Sequence, residues 1–309
     1  MLPPPFENAL VLTGPTGSGK TDLGIDLAQR LNAEIVSMDS MAIYRRMDIG
    51  TAKPTPAQRA LVPHYLVDVL EPWESASVAW WLDQAKQCAR EIAARGKRIL
   101  FVGGTPLYLK ALLCGLFDGP PANDAIRKRL TQEAEAHGGA SLHQRLSSVD
   151  PVSAGRIHTN DVRRMVRALE VFELTGKPMG DWQTQWAGSG PTGAEDEPSV
   201  LWLDLPRAQL YDRINRRVES MFANGVIDEA RNLRLLERPM SVEARQALGY
   251  KEITELLDGT MARDEAIVRV QTRSRNFAKR QIAWFKHMDG CRPVSLELTW
   301  SLWKPKIEG

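Results

Sequence analysis

Gly14-Pro15-Thr16-Gly17-Ser18-Gly19-Lys20-Thr21 decides the fold. The spacing is G-x-x-x-x-G-K-T. The apolar run Ala9-Leu10-Val11-Leu12 precedes it and reads as a buried strand. A helical pattern follows, with Leu23, Leu27 and Leu31 on one face and Ile25 and Ala28 beside it. Strand, loop and helix in that order are the context in which this motif is a phosphate-binding loop. Glycines at 14, 17 and 19 let successive N–H groups turn toward one anion, and the helix start adds partial positive charge there. Lys20 supplies a cation for phosphate oxygens. The Thr21 hydroxyl suits a magnesium ion. The loop specifies a polyphosphate and leaves its identity open.

Outward from the loop, strand and helix signals alternate. Glu34-Ile35-Val36-Ser37 reads as a strand ending at Asp39, and His64 to Val69 alternates like another. Val78 to Ala94 reads as a helix capped by Ser77 and stopped at Gly96. Arg98-Ile99-Leu100-Phe101-Val102 is a buried strand ended by Gly103-Gly104, and a helix runs from Pro106 to Cys114. This rhythm implies a parallel sheet with helices on both faces and ligands at the strands' carboxyl ends, where Gly14, Asp39 and Gly103 fall. Asp118-Gly119-Pro120-Pro121 breaks the rhythm, and residues from Asn123 to Leu174 are helical and charged. Ala187 to Pro198 reads as a polar loop, Val200 to Leu205 as a strand, and Arg207 to His287 as mostly helix. The expected fold is α/β: a P-loop NTPase-like parallel sheet flanked by helices (1–120 and 195–309) with an all-helical insertion domain (121–194).

The bulk numbers exclude several classes. The 309 residues carry a formal charge of only +2, so net charge does not argue for nucleic acid. The three cysteines are far apart, which indicates neither a zinc site nor a disulfide framework and suits a reducing compartment. Neither a signal segment nor an apolar run of about 18 residues is visible, so a cytoplasmic protein without a membrane span is expected. None of the five histidines has metal-ligand spacing with a partner.

An ordinary phosphate-loop nucleotidase has a second strand ending in an acid that helps to hold magnesium. The strand from Arg98 ends in Gly-Gly-Thr instead. Asp39 is the nearest carboxylate and Asp68 a weaker candidate. Asp39 reads three ways: as a magnesium ligand, as a general base beside the polyphosphate, or as a helix cap near Ser40. Basic residues cluster at Arg127-Lys128-Arg129, at Arg163, Arg164 and Arg167, and between Arg269 and Lys286, where Phe277, Trp284 and Phe285 are interleaved. Singly, each suits a solvated helix face. Together they favour a polyanion larger than a nucleotide.

These blocks resemble the bacterial tRNA dimethylallyltransferases (tRNA isopentenyltransferases). The phosphate loop is similar to that family's GPTxSGKT. Asp39-Ser40-Met41-Ala42-Ile43-Tyr44, followed by Asp48-Ile49-Gly50-Thr51-Ala52-Lys53-Pro54, resembles its most distinctive block. Val102 to Tyr108 resembles VGGTxLY. Arg156-Ile157-His158 with Asn160-Asp161 and Arg164 to Glu170, Gly249 to Glu252, and Ala278 to Phe285 follow in the family's order. Departures occur at Ala42 and Arg163, where the family often has Gln, at Thr159 (often Pro) and at Ala283 (often Thr).

The resemblance implies that residues Gly14 to Thr21 hold the pyrophosphate of dimethylallyl diphosphate, with Mg2+ on Thr21 and Asp39. The acceptor would be the exocyclic amine of the adenine 3′ of the anticodon, at tRNA position 37. Asp39 would act as the base, with Lys20 and Thr105 at the reacting centre. The resemblance places tRNA, through its anticodon stem-loop, against Asp39, Ser40, Met41, Ala42, Thr105, Arg127, Arg163, Arg164 and Arg167. It adds Arg245, Gly249, Tyr250, Lys279, Arg280, Gln281, Trp284 and Lys286. It implies a monomer. Three other readings share the loop: a small-molecule kinase, an ATP-binding RNA chaperone, and an isopentenyltransferase acting on free adenine nucleotides.

Overall fold

Leu10-Val11-Leu12-Thr13 form β1, and all four residues are buried. A strand with no polar face needs cover on both sides, which a parallel sheet between helices provides. In this computed structural model, residues 2–116, 119–182 and 199–303 are described. β1 is joined by β2 (Ala33–Ser37), β3 (His64–Tyr65), β4 (Arg98–Gly103), β5 (Val200–Leu203) and β6 (Cys291–Val294) in one six-stranded sheet, ordered β3-β2-β4-β1-β5-β6. Every pairing is parallel. The expected P-loop-like α/β sheet is present.

Alternate residues of the strands serve the two faces. On one face the helix Val78–Ala94 lays down Trp81, Leu82, Ala85, Ala89 and Ile92. The Trp81 ring stacks on Tyr108 with centroids 4.3 Å apart and meets Phe101 edge-on, while its indole N–H donates to Ser37 O at 3.0 Å. On the other face Ile25, Leu27 and Ala28 of the helix Lys20–Arg30 pack on Leu10, Leu12, Leu100 and Leu201. The Ser77 cap and the turn at Gly96 (φ 68°) bound the first of these helices as expected.

Two elements differ from the sequence reading. The alternating stretch after His64 pairs only at His64 and Tyr65, because Leu66 (φ 59°) and Asp68 (φ 56°) take left-handed conformations that end the strand. Cys291–Val294, short and containing a proline, adds a strand at the sheet edge, where a missing N–H costs no ladder bond. The loop expected from 187 to 198 lies outside the described residues.

The chain divides into two compact units, Met1–Leu113 with Gly190–Gly309, and Cys114–Ser189. The first holds the sheet. Among the described residues the second is helical, with Asp124–His137, Gly139–Val149 and Val162–Thr175 packed around Leu130, Leu142, Leu146, Met165 and Leu169. Among the described residues no helix is long and apolar enough to cross a membrane.

Candidate active site

The carboxyl ends of β1, β2 and β4 are adjacent, and the backbone ties them together. Thr13 Oγ1 donates to Gly103 O at 2.8 Å, Met38 N to Val102 O at 2.8 Å, and Thr105 N to Met38 O at 3.2 Å. Gly103 is required here, since a Cβ would collide with the Met38 carbonyl. Asp39 is thereby set beside the phosphate loop.

Asp39 begins a turn and no helix. Its Oδ1 accepts the N–H groups of Met41 at 2.8 Å and Ala42 at 3.3 Å. It therefore caps amides as the third reading required, but those amides belong to a turn. Thr105 fastens this turn from β4: its Oγ1 accepts the Ser40 N–H at 3.0 Å and lies 3.3 Å from Ser40 Oγ. Asp68 has a different task from the one expected. Lys53 and Arg59 donate to it at 2.5 and 2.7 Å, so its charge is already matched.

The phosphate loop leads into the helix that starts at Lys20, with left-handed backbone at Gly17 and Gly19. Lys20 is partly exposed as a residue, but desolvation of its ammonium lowers its pKa to about 8, against the attraction of Asp39 and with the repulsion of Arg217. Arg217 is the functional residue the sequence reading missed. It comes from the helix Arg207–Ala223 and donates to Thr16 Oγ1 at 2.6 Å. Burial also lowers its pKa, and Asp39 opposes that shift. Among the described residues Arg217 Nε and the Ser18 hydroxyl are buried without a hydrogen-bond partner. Buried polar groups are rarely left so, and an anion supplies what both lack. The one available signal was four-residue spacing: Arg213 and Arg217 share a helix face, and Arg213 lies against Gly19.

Lys20, Thr21, Asp39, Thr51, Ala52 and Arg217 line a cavity of about 80 Å³. Two cations face one carboxylate, so the cavity favours a polyanion. A second cavity of about 700 Å³, lined by Arg45, Arg46, Ile49 and Met221 among others, shares Ala52, Pro54 and Arg217 with the first. Among the described residues no group of three or more His, Cys, Asp or Glu could hold a metal. Thr21 and Asp39 do share the smaller cavity. One or two protein oxygens beside substrate phosphates are a donor set that suits magnesium.

The residues expected to meet RNA separate into three groups. Arg163, Arg164, Arg245, Lys279, Arg280, Trp284 and Lys286 are exposed. Gln281 and Tyr250 are buried and differently employed. Gln281 accepts the Thr16 N–H at 2.8 Å and donates to Gly104 O at 2.5 Å, bridging the phosphate loop to the end of β4. The Tyr250 hydroxyl donates to Glu229 at 2.7 Å. Ala42 and Gly249 are buried as well, and Ser40 and Met41 partly so. In the second unit Arg127 and Arg167 converge on the fully buried Glu170. Arg127 donates twice, at 2.9 and 3.1 Å, and Arg167 once at 2.6 Å. Burial works to raise the Glu170 pKa, but these donors and the Asn123 N–H outweigh it and hold the carboxyl below its usual range. Arg167 also donates to Pro120 O at 3.0 Å.

A model of the IPP transferase family matches residues 42–288, and one of the isopentenyl transferases matches residues 7–67. The chain is similar to a tRNA dimethylallyltransferase of Rhodopirellula baltica, at 43% identity over 94% of this chain and 88% of that one. The tRNA dimethylallyltransferase of Geobacter sulfurreducens is 44% identical over 90% of this chain and 88% of its own. The solved tRNA isopentenylpyrophosphate transferase of Bacillus halodurans superposes with a TM-score of 0.66 at 38% identity, over 98% of this chain and 94% of that one. A eukaryotic dimethylallyltransferase acting on tRNA superposes with a TM-score of 0.73 at 26% identity, over 95% and 75% of the two chains.

Proposed function

This chain belongs to the IPP transferase family, and on that premise we propose how its residues carry out the transfer of a dimethylallyl group to tRNA. The donor is dimethylallyl diphosphate, and the acceptor is the exocyclic amine of the adenine 3′ of the anticodon. The observation that carries this reading is the convergence of Lys20, Arg217 and Asp39 on one small cavity under the phosphate loop.

The reaction joins the adenine N6 to the allylic carbon and breaks that carbon's bond to oxygen. The bonding electrons leave with diphosphate, and the N6 proton goes to a base. Positive charge gathers on the allylic carbon as negative charge gathers on the leaving oxygen. Lys20, Arg217 and the loop amides are fixed around that oxygen beforehand, so they stabilise it without rearranging. Asp39 is the carboxylate in the same cavity. With Oδ1 held by two backbone amides, Oδ2 is left for the proton. The turn fixes the carboxylate's direction, and Thr105 fixes the turn. A magnesium ion held by Thr21, beside Asp39, would add charge neutralisation at the diphosphate. The adenine leaves the anticodon stack to reach a site this enclosed. The exposed basic and aromatic side chains from Lys279 to Lys286 suit an RNA backbone and its unpaired bases.

Labelled dimethylallyl diphosphate, offered with bulk tRNA or with free AMP, tests the reading. Label in tRNA alone supports it. Label in AMP would indicate an enzyme of free nucleotides, and ATP turnover without label transfer would indicate a kinase.

A further inference from the structure

Asp48, Ile49 and Gly50 aim three consecutive amides at one carboxylate. Glu229 Oε2 accepts the N–H groups of Asp48 and Ile49 at 2.7 Å each, and Oε1 accepts that of Gly50 at 2.9 Å. The Tyr250 hydroxyl completes the set at 2.7 Å from Oε1. A concave row of backbone N–H groups is an anion site. Here a side chain of the helix Val226–Arg234 fills it and latches the loop to that helix. Gly50 lies flat on the Tyr250 ring, where a Cβ would come within 2.7 Å of ring atoms.

Past the latch the chain stays tightly held. Ala52 is in the left-handed region at φ 51°, which a non-glycine residue keeps only where its surroundings impose it. Lys53 is buried and donates to Tyr44 O at 2.6 Å, Asp48 Oδ1 at 2.6 Å and Asp68 Oδ1 at 2.5 Å. Ala52 sits between these two anchors and Pro54 directly follows the second; with Arg217 they are the residues common to both cavities. Ala52 and Pro54 form the apolar part of the boundary between them. On one side are Lys20 and Asp39. On the other the larger cavity offers apolar surface from Ile49, Pro56 and Met221.

We propose that Glu229 is a positioning residue that sets the length of the prenyl chain the enzyme accepts. It does so by holding the Asp48–Pro54 loop as the wall between the two cavities. The inference rests on the reading of the donor as an allylic diphosphate. With diphosphate on the phosphate loop, a five-carbon group ends against Ala52 and Pro54. A ten-carbon group has to pass them, and the larger cavity has the volume to receive it, with Ile49, Pro56 and Met221 as apolar surface among charged side chains, once the wall yields.

The test compares dimethylallyl and geranyl diphosphates as donors to tRNA, for the wild type, Glu229→Gln and Gly50→Ala. Glutamine keeps the size of glutamate but turns an NH₂ toward amides that need an acceptor. Gly50→Ala forces the loop off Tyr250 from the opposite side. The readout is the ratio of kcat/KM for geranyl over dimethylallyl diphosphate. Partial unfolding lowers both values equally and leaves the ratio unmoved. The ratio is expected to rise about tenfold or more in both variants, the scale on which pocket walls discriminate added methylenes. Transfer from dimethylallyl diphosphate with an unmoved ratio overturns this inference alone, as does a wild type that already uses both donors equally. Loss of all transfer in both variants also counts against it, since a wall should govern selectivity before turnover. A wild type that transfers nothing from dimethylallyl diphosphate overturns the underlying reading and this one with it.

Discussion

Arg217 donates to the Thr16 hydroxyl at 2.6 Å across a sequence separation of 201 residues, bringing a second cation to a loop that already carries Lys20. Among the described residues nothing satisfies its buried Nε. Arg217→Gln should keep the bond to Thr16 within reach and lose the charge. The expected outcome is a fall of about 10²–10³ in single-turnover rate, as when a fixed donor to a developing anion is removed. The melting temperature of the free protein should not fall, because the lost cation is partly desolvated and its buried Nε has no partner among the described residues. A rate near wild type would exclude Arg217 from the leaving-group site.

Lys20 makes diphosphate binding pH-dependent. In the free protein its pKa is lowered to about 8, chiefly by burial. Bound polyanion favours the charged ammonium, so the complex keeps the proton to higher pH than the free protein does. Binding then takes up protons as pH rises through that value, and affinity falls. Titration calorimetry with pyrophosphate in two buffers of different ionisation heat, from about pH 7 to about pH 9, measures both effects. Lys20→Met should bind more weakly and flatten the pH dependence. Pyrophosphate affinity independent of pH across this range would mean that the ammonium does not touch the diphosphate.

Asp39→Asn separates chemistry from structure. Asparagine keeps an oxygen for the Met41 and Ala42 amides, so the turn should persist and stability should change little. It cannot take the proton. The rate of transfer should drop by about 10²–10⁴ with tRNA affinity nearly intact. A thermal melt and a single-turnover assay on one preparation decide between the roles. A large loss of stability with unchanged specific activity would reduce Asp39 to its capping role.

Arg164 and Arg167 should behave differently although one turn of helix separates them. Arg164 is exposed, and Arg164→Ala is expected to reduce the salt slope of log tRNA affinity by roughly 0.7 to 1 if it meets a phosphate. Arg167 is committed to Glu170 and Pro120. Arg167→Ala should leave the slope unchanged and cost about 1–3 kcal/mol of stability, since it strips one donor from a buried carboxylate. The sign with pH follows from Glu170. Its pKa is held below the ordinary 4.5, so its contribution is complete above that value and is lost as pH falls through the lower one. The variant's deficit should therefore shrink in acid. Binding titrations at several salt concentrations and melts at several pH values measure the two effects.

What the sequence made legible was contiguous. The phosphate loop declares itself in eight adjacent residues, and its anion site needs only backbone and one lysine. Asp39 was visible because a strand ends just before it. Arg217, Gln281 and Glu229 were not, since their partners lie between 177 and 265 residues away and no local pattern marks them. Gln281 and Tyr250 stood inside blocks whose resemblance to the family implied RNA contact. Burial turned one toward the phosphate loop and the other toward Glu229. The alternation after His64 promised a longer strand, but Lys53 and Arg59 draw the Asp68 carboxylate to themselves where the backbone turns left-handed.

The hydrogen bond from Thr16 to Gln281 also bears on the order in which the site is assembled during synthesis. Gln281 is made 265 positions after Thr16. β1 has to wait as well, because its neighbour β5 begins at Val200. The Thr16 amide of a nascent chain therefore lacks this partner until Gln281 has been made. A ligand stabilises only the state that binds it. A bound diphosphate is therefore expected to stabilise chains that carry the bridge over chains that stop before Gln281.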